Sequence, residues 1–556
     1  MAQQAALLKD DLLEPVDHLL DAPLLVDLVR DCLASRRPAS ARNGRPGIAP
    51  DRLLRCCVLK HLKGWSFRDL DRELRSNLIY RRFTRFDAEA TPTYSAFSRL
   101  FAVLSPEATQ QIHHRVVGLA REKGAAPGHK IRIDSTVVES NVHYPSDSTL
   151  LGDGIRVLSR ALKRMAAKCQ AGALEVVHHG RAVKHRLLEI SRAAKSLTQT
   201  SRERMQESYG KLLGLTRGVV REAGQALRRW ESGGLEVVRN LVGMEAQASQ
   251  LRHFLPLVQK VIAQTEERVL GGNNHVAGKV LSLFEPHTQV IRKGKAHKPN
   301  EFGRLVRLDE VENGIVSGYE VLEGNTADTD SFLPALEQHK DRFGQAPTLA
   351  TADRGFFSAE NERKAKDLGV EKVALPARGR LSETRAQHQK ERWFKRALHW
   401  RAGEEATISH LKNPFSMWRA FYKEERGFQR YVGWSVITKN LFSLARWSAR
   451  KEHRRSEHAA SDYFRPTAEA AERDRASGPG GGFRSLVGNL PHVWTAGLPL
   501  PQGRTQAWSA PLYQLSRREG EDHGLLRAER GGGSDAGRSS CLARAAGVFA
   551  GAGGDE

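Results

Sequence analysis

Cysteine is scarce in this chain: Cys32, Cys56, Cys57, Cys169 and Cys541 are the whole complement in 556 residues. None forms a CxxC pair or a zinc-ligand spacing, which argues against a disulfide framework and against structural zinc. Cys56 and Cys57 are adjacent on a helix-patterned stretch and so point in different directions. All five are read as reduced thiols of a cytoplasmic protein. Long apolar runs are also missing, none reaching the ~18 residues of a membrane-spanning helix. The opening MAQQAALLKDDLLEP turns acidic too soon for a secretory leader. The GGNNH stretch at 271–275 leads into no GxGxxG or GK[ST], the 21 histidines contain no HExxH, and no GxSxG occurs. A phosphate-binding glycine loop, a zinc hydrolase helix and a serine nucleophile elbow are thereby disfavoured.

Positive charge, by contrast, is abundant. Lys plus Arg number 87 against 64 Asp plus Glu, a formal net charge of +23. Such an excess describes partners and not fold; lysines and arginines that neutralise phosphates and release counterions fit nucleic acid.

The length suggests several modules. Residues 1–125 carry apolar residues at three- and four-residue spacing, as in LLVDLVRDCLA and PDRLLRCCVLKHLKGW. Pro50 and Asp51 mark one helix start, and Thr93 or Ser95 another. With the arginine-rich WSFRDLDRELRSNLIYRRFTRF, this reads as a helical DNA-binding domain of helix-turn-helix type, the bland alternative being a packing domain with a solvated basic face. Residues 126–154 hold a first core strand, at 129–138, and the loop after it. Residues 155–275 return to helical pattern and are expected to form two or three long antiparallel helices. Strand patterns then fall at 279–284, 303–308, 314–323, 347–352 and 370–375. Helices are expected at 328–341, capped by Asp328 or Thr329, then at 358–368, 400–413 and 427–450. With the helical stretch lifted out, strands alternate with helices in a catalytic core completed by residues 276–450, an α/β arrangement in the order of an RNase H-like fold. From 451 to 556 the chain is rich in Gly, Ala, Ser and Arg and is expected to be disordered.

Three acids stand out by context. Asp134 interrupts the apolar alternation of Ile131, Ile133, Val137 and Val138, and Asp353 ends that of Leu349, Ala350 and Ala352. Glu405 lies in a helix-patterned stretch, WRAGEEATISHLK. Two carboxylates at strand ends and one on a helix suit a two-metal phosphoryl-transfer site, because magnesium takes hard oxygen ligands. Taken singly, each acid would read as a solvated surface carboxylate.

These stretches resemble the DDE-type transposases of bacterial insertion sequences. The last acid carries the sharpest likeness: Arg401, Glu405 and Lys412 fall on the family's Tyr-x2-Arg-x3-Glu-x6-Lys helix signature, with Leu398 at the Tyr position. Spacings of four and seven put the three on one helix face, and Glu404, the rival acid, faces away by about 100°. Asp353, Arg354 and Gly355 in ADRGF resemble the second-acid motif. Asn141, His143, Pro145, Ser146 and Asp147 resemble a stretch that follows the first acid in a loosely classified, ISNCY-like group, with Asp147 expected to cap the next helix. The likeness spans residues 20–448.

The resemblance implies Mg²⁺- or Mn²⁺-dependent nicking at the element's ends and transfer of the freed 3′-OH into target DNA. It further implies that Asp134, Asp353 and Glu405 hold two ions, with Arg401, Lys412 and Arg354 on DNA. Its partners would be double-stranded DNA, both terminal repeats and target, and at least a second copy of the chain, in a cytoplasmic, nucleoid-associated setting. No nucleotide cofactor is implied. Arg292, Lys293, Lys295 and Lys298 are expected on the DNA-facing side, and Trp393 and Trp400 are read as packing aromatics rather than base-stacking ones. The alternatives are a stand-alone metal-dependent nuclease and a transposon-derived DNA-binding protein without catalysis.

Overall fold

The computed structural model describes residues 10–36, 47–196, 198–238, 240–273, 275–292 and 300–463, with side chains up to residue 456. Of the sequence expectations, those on Lys293, Lys295, Lys298, Cys541 and most of the 451–556 tail lie outside the described residues.

The N-terminal region is built of helices: α1 Glu14–Leu20, α2 Pro23–Ser35, α3 Pro50–Lys63, α4 Phe67–Ser76, α5 Leu78–Phe83, α6 Tyr94–Val103 and α7 Pro106–Glu122. Pro50 opens α3 and Gly64, in the left-handed region, closes it. Ser66 and Asp69 form a capping box on α4, and Asn77 caps α5 by accepting from two backbone amides. Thr93, not Ser95, caps α6.

A seven-stranded sheet follows: β1 Lys130–Ser140, β2 Gln289–Ile291, β3 Glu301–Glu310, β4 Val316–Val321, β5 Leu349–Ala352, β6 Lys372–Ala374 and β7 Arg419–Ala420. The path runs β2-β3-β1-β5-β6, with β4 beside β3 and β7 beside β1. β3 is antiparallel to β1 and β4, and β5 is parallel to β1 and β6. One face packs Ile131 and Ile133 against Phe332 and Leu336 of α12 (Asp328–Phe343) and against Phe356. Helix α13 (Ala359–Asp367) lies on that side, with Ala365 in the same core. The other face packs Val138, Val306 and Leu308 against the N-terminal helices and α17 (Glu424–Tyr463), which supplies Phe428, Trp434 and Leu441.

Between β1 and β2 the described residues form four α-helices with a separate apolar core: α8 Asp147–Ala166, α9 Gly180–Ala193, α10 Gln199–Glu231 and α11 Leu241–Thr265. Leu158, Leu213, Ala223, Leu251 and Val258 are buried there. The insertion thus holds four helices rather than two or three and starts at Asp147, ahead of residue 155. Its first cap is Ser146, which forms a capping box with Thr149. Asp147 is instead buried, paired with Arg268 and accepting from Gln264 at 3.1 Å. The apolar alternation at 279–284 forms no strand. Val280 and Leu283 bury beneath the insertion, and the Gln264 amide satisfies the backbone of Val280 in place of a strand partner. Likewise α12 is preceded by Ala327 with no side-chain cap, so neither Asp328 nor Thr329 caps it. The expected helix at 400–413 is two elements, α15 Arg392–Ala402 and α16 Glu404–Lys412, preceded by α14 Glu383–Lys390. α17 continues past residue 451 to Tyr463.

Candidate active site

β1 sets the site because its residues alternate between faces and its neighbours are fixed by pairing. Arg132 lies on the face turned to α15 and α16. Its guanidinium is buried, donates to Glu310 and to the carbonyl of Trp400, and sits 4.9 Å from the Trp400 ring centroid. Trp400 is therefore a packing aromatic. The joint between α15 and α16 forms over this arginine: a Cβ on Gly403 would come within 2.7 Å of Arg132 Nη1.

Asp134 follows two residues later on the same face. Its Oδ1 accepts from the Ser135 amide at 2.7 Å, and its side chain is 17% exposed. In the parallel pairing of β1 with β5, Ile133 stands opposite Ala352. The next position sets Asp134 beside Asp353, at the end of β5. Asp353 Oδ1 accepts from the Gly355 amide at 2.6 Å, closing a one-turn 3₁₀ helix over Arg354–Phe356.

Arg401, near the end of α15, joins the first acid to the third. Its guanidinium lies 3.9 Å from Asp134 and 3.8 Å from Glu405. The Arg401–Glu405 spacing of four still brings the two together across the joint at Gly403. Glu405 is 74% exposed. Glu404 points the other way. It is fully buried, and neither carboxylate oxygen has a hydrogen-bond partner. Burial, then the nearby Asp134 and Glu310 charges, raise its pKa well above the ordinary carboxylate range and so favour the protonated acid. Behind it Lys439 of α17 is buried, donates to the Gly314 carbonyl and is pushed down to about 8 by burial. Lys412 ends α16 half-buried, and Arg354 is exposed.

A fourth acid, Asp328, also reaches this corner of the sheet. Ser135 Oγ donates to its Oδ1 at 2.7 Å. A Cβ on Gly355 would meet Asp328 Oδ2 at 2.6 Å and Asp353 Oδ1 at 2.7 Å, so both carboxylates crowd the same glycine. Sequence reading took Asp328 only as a cap. Ser135 and Asp328 are 193 positions apart, and they meet because the start of α12 packs against β1.

The donor set is carboxylate oxygen, the chemistry that suits Mg²⁺ or Mn²⁺ over softer metals. Among the described residues, no three Asp, Glu, His or Cys side chains gather closely enough to hold one ion. The Arg401 guanidinium instead supplies the positive charge between Asp134 and Glu405.

Comparison with known families yields two matches. Residues 2–102 match the model described as Transposase domain (DUF772), and residues 286–441 match Transposase DDE domain. The second covers Asp328, Asp353, Arg401, Glu405 and Lys412 but begins after the helical insertion, which leaves Asp134 outside it. No curated protein and no solved structure matches the chain. Among the described residues no helix is long and apolar enough to cross a membrane. The two matches, a transposase domain in the N-terminal helices and a DDE domain around the second acid and its helix partner, support an insertion-sequence DDE transposase.

Proposed function

We propose that this transposase nicks DNA at the ends of its element and transfers the freed 3′-OH into target DNA, with Asp134, Asp353 and Glu405 as the catalytic acids. The observation that carries the reading is the β1–β5 pairing, which sets Asp134 beside Asp353 while Arg401 bridges Asp134 to Glu405. The same strand order, with β3 antiparallel and β5 parallel to β1, supports an RNase H-like core.

In the first step water attacks the scissile phosphorus and the P–O3′ bond breaks, leaving a 3′-OH and a 5′-phosphate. In the second, that 3′-OH attacks a target phosphorus and displaces the target's own 3′ oxygen. One phosphodiester bond replaces another, so no nucleotide cofactor is required. Mg²⁺ or Mn²⁺ would be held by Asp134, Asp353 and Glu405 only with these acids drawn closer than in this structure, where Arg401 stands between two of them, and would then supply Lewis acidity at the phosphate and a more acidic attacking water. The protein's own part is placement. Arg401 and Lys412 meet the phosphate, Arg354 meets the neighbouring backbone, and Asp328, held by Ser135, ties the start of α12 to β1 beside Asp134. The N-terminal helices bind the element's ends, and joining two ends calls for at least two copies of the chain.

Single substitutions test the assignment. Asp134→Asn, Asp353→Asn and Glu405→Gln are each expected to lower nicking of end-sequence DNA by at least about 10²-fold, the scale set by removing one charge-stabilising group. DNA affinity should persist in all three, measured by electrophoretic shift without metal. Glu404→Gln should retain nicking, because a buried protonated acid and an amide are near-isosteres. If Glu404→Gln abolished nicking and Glu405→Gln did not, the third acid would be reassigned. Nicks without joined products from the unmodified protein would favour the stand-alone nuclease.

A further inference from the structure

Between α8 and α9 of the insertion lies an open cavity of about 740 Å³. Its floor is apolar, formed by Ile155, Val183 and Leu187, and its rim is basic. Arg156, Arg160 and Lys163 project from α8 at three- and four-residue spacing, which aligns them along one side. Lys184 faces them from α9. All four are exposed. Arg156 is paired with Asp153 at 2.6 Å. Among the described residues, no carboxylate pairs with Arg160, Lys163 or Lys184.

We infer that this groove binds the sugar–phosphate backbone of the element's own DNA, beside the bond that is cut. The inference rests on the proposed transposase reaction. Cations along a rim match a row of phosphates, and an apolar floor matches the unhydrated faces of deoxyribose between them. The groove is also tied to the catalytic strand. Only residues 141–146 separate β1 from α8, and His143 in that link lines the cavity. From Asp134 the strand runs on to Ser140, a rise of about 20 Å. Strand, link and α8 follow one another without interruption, so the groove is joined to the first acid by one short stretch of chain. Asp147, buried against Arg268 and Gln264, anchors the start of α8 and fixes its direction. The insertion, which the DDE-domain match excludes, thereby becomes a clamp on DNA flanking the cut.

The test uses the full chain with Arg160, Lys163 and Lys184 all changed to Ala, and duplex DNA carrying the element's end. Each lost phosphate contact lowers the slope of log K against log salt by about 0.9, so the triple variant should show a slope smaller by about 2–3. Hydroxyl-radical footprints should lose protection over one stretch of DNA flanking the nick and keep it elsewhere. Arg160→Lys, Lys163→Arg and Lys184→Arg together should restore both readouts, which separates charge from folding. An unchanged slope and footprint, beside a normal wild-type slope, would overturn the groove and leave the transposase reading standing. A wild-type protein without salt-dependent binding to end DNA would overturn both. Loss of binding that the charge-conserving variant fails to restore would also overturn the groove as a phosphate site.

Discussion

Lys60 shows what a single buried amine costs this protein. It is 3% exposed, with Nζ 4.9 Å from the Phe67 ring centroid and 4.7 Å from that of Tyr422. Burial pushes its pKa down to about 7. The ring faces favour the ammonium by roughly 1–2 kcal/mol and so offset part of that cost. Between about pH 7 and the ordinary lysine range the unfolded chain holds more protons than the folded one. Stability therefore rises with pH through that window, and the penalty is full below it. Lys60→Met is expected to raise the melting temperature by about 2–4 °C at pH 6, with a smaller gain at pH 10. Calorimetry at the two values decides it; a lower melting temperature at both would show that the rings outweigh burial. At this scale, sequence legibility depended on separation. Arg401 and Glu405 sit four apart, so their contact was readable from spacing. Arg132 beneath Gly403, and Asp328 beside Asp353, were not, because helix ends packed on the sheet join positions far apart in the chain.

Among the elements, the α15–α16 joint governs where Glu405 points. Gly403 lies where the Arg132 guanidinium comes closest, and that guanidinium is already held by Glu310 and Trp400. Gly403→Val would push the two apart. A misplacement of ~1 Å at a catalytic group can cost about 10²-fold in rate. Nicking should fall on that scale with end-DNA affinity unchanged, read by paired cleavage and binding assays; full activity in the variant would remove the joint from the account. Strand and helix periodicity located β1, β3, β4, β5, α12 and α13 in the sequence. The same periodicity misled at 279–284, where apolar alternation reflects burial under a helix with a glutamine amide as backbone partner. It also missed the break at Gly403, since a one-residue interruption leaves the apolar spacing on either side intact.

For the whole molecule, the N-terminal helices and the catalytic sheet share one interior. Leu53, Leu54, Phe97 and Phe101 bury in the same core as Phe428, Trp434 and Leu441. His61 reaches Tyr422 at 3.0 Å, and Arg430 donates to the Phe101 carbonyl at 2.8 Å. A fragment of residues 1–125 would expose that face. It is expected to show no cooperative thermal transition and to self-associate, as checked by circular dichroism and gel filtration. A monomeric fragment with a sharp melt would show an independent domain. This shared core was not readable from composition, because one helix face does not say which other face covers it. The position of β1 at the centre of the sheet also has a temporal side. Its partners β3 and β5 are encoded beyond the insertion, so at roughly 5–20 residues per second the ribosome leaves β1 unpaired on both edges for about 10–30 s. During that interval the insertion, with an interior of its own, can fold first. It would act as a built-in escort for a strand whose bare edges otherwise invite association between nascent chains.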